Sequence, residues 1–125
     1  MKYGFDLDGT LDRKRVLLLA KQLLALGNEI HIISGVFDES GDWQSNDAKT
    51  AKVERLWGGE IPLGVTLHVI HSADHPDRQY RLVNIGLQKG VLCEQLGIDV
   101  MFDDSETYTN VMKAMAGDLI VCHVR

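Results

Sequence analysis

The chain has little cysteine, no excess of positive charge and no long apolar run. Its two cysteines, Cys93 and Cys122, are flanked by neither a CxxC pair nor a Cys/His metal spacing. That usage is expected of reduced thiols in a cytoplasmic protein and not of a disulfide framework. Thirteen basic residues against eighteen acidic ones leave a formal net charge of −5, so no general nucleic-acid binding and no membrane-surface attachment is expected. No stretch is apolar for long enough to cross a bilayer, and no signal-peptide pattern precedes the first polar motif. Repeats, low-complexity tracts and linkers are absent too. What is present is an ordinary globular composition, 45% hydrophobic and 25% charged over 125 residues. The expectation is one domain over residues 1–125 with a core of reasonable size.

The chain is organised around Phe5-Asp6-Leu7-Asp8-Gly9-Thr10-Leu11. Tyr3, Phe5 and Leu7 make an apolar lead-in that passes at once into Asp-x-Asp-Gly-Thr, as a buried strand does when it ends in a sharp turn. Two residues apart on a continuing strand, Asp6 and Asp8 would share a face. Gly9 lets the backbone turn and lets a ligand approach it. Two acids held together repel, so a divalent cation between them or a raised pKa is expected. The basic run Arg13-Lys14-Arg15 beside this motif reads as a solvated helix start, or as an attractor of an anionic substrate.

From there the pattern alternates. Asp12 is a fair N-cap for a helix over residues 16–26, with Val16, Leu19, Leu23 and Leu26 at 3/4 spacing and Leu17, Ala20 and Leu24 widening the face. Gly27 stands where a left-handed C-cap belongs. Residues 30–33 form a short strand buried on both faces, ending in Ser34-Gly35. A polar loop over residues 38–46 holds Trp43 as a possible anchor, and a helix over residues 47–57 follows. Pro62 and Gly64 bend the chain into a third strand at residues 65–70. Residues 71–88 are the hardest to assign, with 80–85 readable as helix, strand or loop. His71, Asp74 and His75 can be imagined as metal ligands there, but histidines in a polar loop at a strand end are more often merely hydrogen-bonded or exposed. Lys89-Gly90 opens a helix, a strand over residues 100–102 ends in Asp103-Asp104-Ser105, Ser105 caps the last helix, and residues 119–124 are the fifth strand. The expected fold is α/β: a doubly wound, Rossmann-like, five-stranded parallel sheet with helices on both faces and no large cap domain.

Ligands of such a sheet bind beyond the carboxyl ends of its strands. Asp6, Asp8, Ser34, Asp103 and Asp104 come to that edge, and Lys89 can reach it. Four carboxylates gathered there ask for a hard counter-ion, and Mg²⁺ is the natural one. With it the site can receive a phosphate and holds a carboxylate able to attack it.

These residues resemble, in order and over nearly the whole chain, the four motifs of the haloacid dehalogenase-like (HAD) phosphohydrolases. Motif one is Asp6-Leu7-Asp8-Gly9-Thr10, motif two Ile32-Ile33-Ser34-Gly35, motif three Lys89, and motif four Phe102-Asp103-Asp104-Ser105. The resemblance implies a Mg²⁺-dependent phosphomonoesterase working through an aspartyl phosphate. Asp6 would be the nucleophile and Asp8 the general acid/base, whose backbone carbonyl would also meet the metal. Ser34 and Gly35 would bind the substrate phosphate, and Lys89 would neutralise nucleophile and phosphoryl. Asp104 would ligate the metal first, with Asp6, Asp8 and Asp103 completing the set. The partner implied is a phosphorylated substrate, a small phosphomonoester or a nucleotide-like one.

Two departures stand out. Ser34-Gly35-Val36 lacks the arginine that many relatives place after the motif-two glycine, and Lys89 is followed by glycine instead of the frequent proline. Two other kinds of protein share part of this pattern. A receiver domain of two-component signalling is also acidic and phosphorylated on Asp, but here the third strand ends in His71-Ser72 and no lysine follows the fifth. A HAD-like module that binds phosphate or metal without turnover keeps the same motifs and differs only in catalysis.

Overall fold

A computed structural model describes residues 1–36, 44–115 and 117–125. The expected α/β alternation is what it shows: β1 (Lys2–Phe5), α1 (Lys14–Ala25), β2 (Glu29–Gly35), α2 (Asn46–Leu56), β3 (Val65–Ile70), α3 (Arg78–Leu96), β4 (Val100–Asp103), α4 (Glu106–Ala114) and β5 (Ile120–His123). The five strands form one parallel sheet in the order β3-β2-β1-β4-β5. The chain winds outward from β1 to β3, then returns to β4 beside β1. The strand order therefore reverses between β1 and β4, and the carboxyl edge at such a reversal is where sheets of this kind bind ligands.

Each face of the sheet has its own apolar layer. Phe5, Leu7, Ile30, Ile32 and Val53 are buried with Val16, Leu17, Leu23 and Leu24 of α1. Ile33, Leu82, Ile85, Cys93, Met101 and Met112 are buried on the other side, under α3 and α4. Ile32 and Ile33 go to opposite layers, as the period of two requires of a strand covered on both sides. The α1 stripe is Val16, Leu17, Ala20, Leu23 and Leu24, not the Leu19 and Leu26 expected; those two are 37% and 79% exposed. The reason is angular: the stripe i, i+1, i+4, i+7, i+8 turns the helix away from the one that spacing alone selected.

Two local expectations are corrected. Asp12 does not cap α1, whose N-cap is Arg13 without a side-chain bond; the Asp12 carboxylate instead accepts from the Gly9 N–H at 3.0 Å. Lys89 does not open a helix. Helix α3 begins at Arg78, where the Asp77 carboxylate accepts from the Gln79 and Tyr80 N–H groups, and ends at Gly97 (φ 71°). Residues 80–85 are thus helical, and only residues 71–77 remain as loop. The inward stripe of α3 is Leu82, Ile85, Gly86, Lys89, Gly90 and Cys93. Its 3/4 spacing is regular, but two glycines and a lysine interrupt its apolar signal.

Those glycines let α3 lie close to α4. A Cβ at Gly86 would stand 3.1 Å from the Val111 Cβ, and one at Gly90 would overlap the Met115 sulfur. Close approach on both sides of Lys89 seats its ammonium 4.3 Å from the centroid of the Tyr108 ring. The expected anchor Trp43, with most of the 38–46 loop, lies outside the described residues. Among the described residues no inserted domain separates the strands, and no helix is long and apolar enough to cross a membrane.

Candidate active site

Strand β1 ends at Phe5, and the next residues form a wide turn, Leu7–Leu11, closed by Leu11 N–H on the Asp6 carbonyl at 3.1 Å. Gly9 holds φ 80° within it, a left-handed conformation that a side chain resists. A Cβ there would also overlap the Asp104 carboxylate, so glycine is required twice over. Asp6 and Asp8 are therefore not on a continuing strand and do not share a face. The turn sends them to two different neighbourhoods.

Asp6 stands at the carboxyl edge between β1 and β4, its N–H on the Phe102 carbonyl at 2.8 Å. Lys89 Nζ donates to Asp6 Oδ1 at 3.0 Å and to Asp103 Oδ2 at 2.7 Å. Lys89 and Asp103 are fully buried and Asp6 nearly so. The Ser105 N–H donates to Asp103 Oδ1 at 3.0 Å, and the Thr10 hydroxyl to Asp104 Oδ1 at 3.0 Å. Burial, then the charge of Asp103, push the Asp6 carboxyl well above the ordinary range against the pull of Lys89. Burial raises Asp103 as well, with Lys89 and the Ser105 N–H opposing. Burial penalises the Lys89 charge, but Asp103 and Asp6 outweigh it and lift its pKa above that of a free lysine.

Asp8 turns to the other side, toward α2. Lys49 Nζ donates to Asp8 Oδ2 at 2.8 Å and to the Ser34 hydroxyl at 2.8 Å. Lys52 Nζ donates to Asp8 Oδ1 at 2.6 Å and to Asp12 Oδ2 at 2.9 Å. Burial works against the charge of Asp8, yet the hydrogen bonds and charges of the two lysines hold its carboxyl below the usual value. Lys52 is itself raised: burial opposes its charge, and Asp12 and Asp8 prevail.

Of the residues expected at the site, Asp6, Lys89, Asp103 and Asp104 meet in one cluster, while Asp8 and Ser34 meet through Lys49 in a second one beside it. Gly35 closes β2 next to Ser34. Sequence reasoning missed Lys49, Lys52, Thr10 and Tyr108. Lys49 and Lys52 carried a readable signal: three apart, they share a helix face, and the first turn of a helix that follows β2 lies at the carboxyl edge. His71, Asp74 and His75 do not join; His75 stacks on Tyr80 at 4.2 Å and accepts from the Asp77 N–H.

Comparison with protein-family models and with curated proteins gives no match to this chain. Among solved structures, a ferredoxin-NADP+ reductase from Plasmodium falciparum is similar over 99% of this chain and 51% of its own, at 10% identity and a TM-score of 0.45. The chain thus spans about half the length of that reductase, and a likeness so low bears on neither the site nor its chemistry.

The group that could hold a metal is marked out by local charge and not by the total. Asp8 and Asp12 are matched by Lys49 and Lys52, so the second cluster is neutral by itself. The first holds Asp6, Asp103 and Asp104 against one base among the described residues, Lys89, with one oxygen of each acid within 4.8 Å of the others. Three hard oxygen donors with two uncompensated charges suit a divalent ion such as Mg²⁺. The ligand expected from Asp8 is its backbone carbonyl; its carboxylate is paired with Lys49 and Lys52 and stands outside this set.

Proposed function

We propose that the chain is a Mg²⁺-dependent phosphohydrolase of the HAD type, cleaving a phosphomonoester through an aspartyl phosphate on Asp6. The observation that carries this reading is a convergence of side chains: Asp6, Asp103 and Asp104 meet the buried Lys89 at the reversal of strand order, and Ser34, Lys49 and Asp8 line up beside them. Asp6, Asp103 and Asp104 would hold the ion, whose chemistry is to offset charge on the phosphoryl group and the acids. Lys89 fixes one Asp6 oxygen, which leaves the other for attack.

In the first half-reaction an Asp6 oxygen bonds to phosphorus, the P–O bond to the leaving group breaks, and the Asp8 carboxyl gives that oxygen a proton. In the second, Asp8 takes a proton from water, the water oxygen bonds to phosphorus, and phosphate leaves with Asp6 restored. Asp8 is held in its ionised form by Lys49 and Lys52, the form the second half-reaction needs. The first needs it protonated, so an incoming substrate has to loosen the hold of the lysines.

That same hold favours a second reading, a phosphate- or metal-binding module without turnover. Phosphate release from p-nitrophenyl phosphate separates the two. The enzyme reading expects Mg²⁺-dependent release that chelator stops and Asp6→Asn abolishes; binding of phosphate or Mg²⁺ without release supports the module.

A further inference from the structure

We propose that Lys49 is the cation that receives the substrate phosphate, standing in for the arginine missing after Ser34-Gly35; the proposal rests on the phosphohydrolase reading. Lys49 is 1% exposed on a helix of otherwise polar character. A lysine is taken that far from water only when its charge is answered. Its answer consists of Asp8 and Ser34, each 2.8 Å from Nζ, the acid/base and the phosphate-binding hydroxyl of the proposed reaction. An ammonium carries three donors, and among the described residues these two take one each. The third is available to a phosphate oxygen arriving between Ser34 and Asp8.

Position separates Lys49 from the other two lysines of the site. Lys89 lies behind Asp6, committed to Asp6 and Asp103 and capped by the Tyr108 ring. Lys52 lies outward, its side chain 24% exposed and divided between Asp8 and Asp12. Lys49 alone touches the motif-two hydroxyl. A phosphate bound there would draw the ammonium off Asp8, and this is the loosening that leaving-group protonation requires. A lysine is a point charge where an arginine is a planar fork, so this site should accept tetrahedral phosphate without the two-pronged geometry an arginine imposes.

The test is calorimetric titration of inorganic phosphate into the Mg²⁺-loaded chain, with Lys49→Met and the exposed Lys113→Gln as comparison. Loss of a charge-assisted bond of this kind should weaken phosphate by about tenfold or more in Lys49→Met, with Lys113→Gln unchanged. Equal binding by Lys49→Met and the native chain overturns the role of Lys49 while leaving the phosphohydrolase reading intact. Native protein that neither binds phosphate nor releases it from p-nitrophenyl phosphate overturns that reading, and this proposal with it. Should Lys49→Met not fold, ¹⁵N spectra of the lysine ammonium groups in native protein decide: phosphate should shift a Lys49 signal, and a signal indifferent to saturating phosphate refutes the assignment.

Discussion

Replacing Lys89 by methionine isolates the claim that one buried ammonium allows Asp6 and Asp103 to stand side by side. Lys89 Nζ is 3.0 Å from Asp6 and 2.7 Å from Asp103, and the three side chains are 0%, 9% and 0% exposed. Methionine keeps the length and the apolar stem, so little cavity is opened and the loss is mainly electrostatic. Removing one partner of a buried pair costs about 3–5 kcal/mol. Two acids depend on this lysine, so the upper part of that range is expected near neutral pH, out of the roughly 5–15 kcal/mol that hold a domain together. The acids can relieve the loss by taking up protons. Burial has already raised both, and a carboxyl raised in the folded chain binds its proton more tightly there than in the unfolded one. Stability then falls as pH rises between the unfolded value, about 4, and the folded one. The deficit of the variant should thus be largest above the folded values of the two acids and narrow as pH falls toward the unfolded value of about 4. Lys89 itself does not titrate in that window; raised above a free lysine, it gives up its contribution only at far higher pH. Urea unfolding followed by circular dichroism, with chelator present, measures the deficit. A loss below about 1 kcal/mol at neutral pH, ordinary for any substitution, would refute the argument, as would a deficit that does not change with pH.

Three further outcomes are expected. Gly9→Ala should lose about 1–2 kcal/mol from its left-handed φ of 80° and displace Asp104 as well; unfolding at native urea concentration would show that the turn is not as described. Asp8→Asn should slow phosphate release by about 10²–10⁴-fold, and a rate within threefold of native, on the order of 1 kcal/mol or less of barrier, would remove Asp8 from the chemistry. His31 and His68 meet across β2 and β3 with ring nitrogens 3.0 Å apart, and burial, then His31, lower the His68 pKa. A lowered histidine gives stability that is full above the unfolded value of about 6.5 and declines as pH falls through it toward the folded value. His68→Gln should flatten that part of the stability profile, and an unchanged profile contradicts the coupling.

Much of this arrangement is legible in the sequence because strands and strand ends carry short-range signals. Ile30, Ile32 and Ile33 announce a strand covered on both faces, and the order of Asp6, Ser34 and Asp103 along a βα alternation brings them to one edge without any knowledge of packing. What is not legible depends on contacts between distant elements. The inward stripe of α3 contains Gly86, Lys89 and Gly90, each selected by α4 or by the acids of β1 and β4 and not by apolar periodicity, so the helix reads as broken. Lys49 looks like any surface lysine until Asp8 and Ser34 are placed beside it. The separation of Asp6 from Asp8 follows from the turn that begins at Leu7 and ends the strand between them, where a two-residue spacing suggested one shared face. Asp12 shows the same limit: its residue type fits a cap, and tertiary partners claim it instead.

The central claim is that Asp6 carries the phosphoryl group between substrate and water. Acid-quenched turnover of p-nitrophenyl phosphate with Mg²⁺, followed by peptide mass spectrometry of the trapped protein, tests it most directly. The account predicts a phosphoryl group on Asp6, absent without Mg²⁺ and absent in Asp6→Asn. A phosphoryl group on another side chain, or sustained phosphate release by Asp6→Asn, would contradict it.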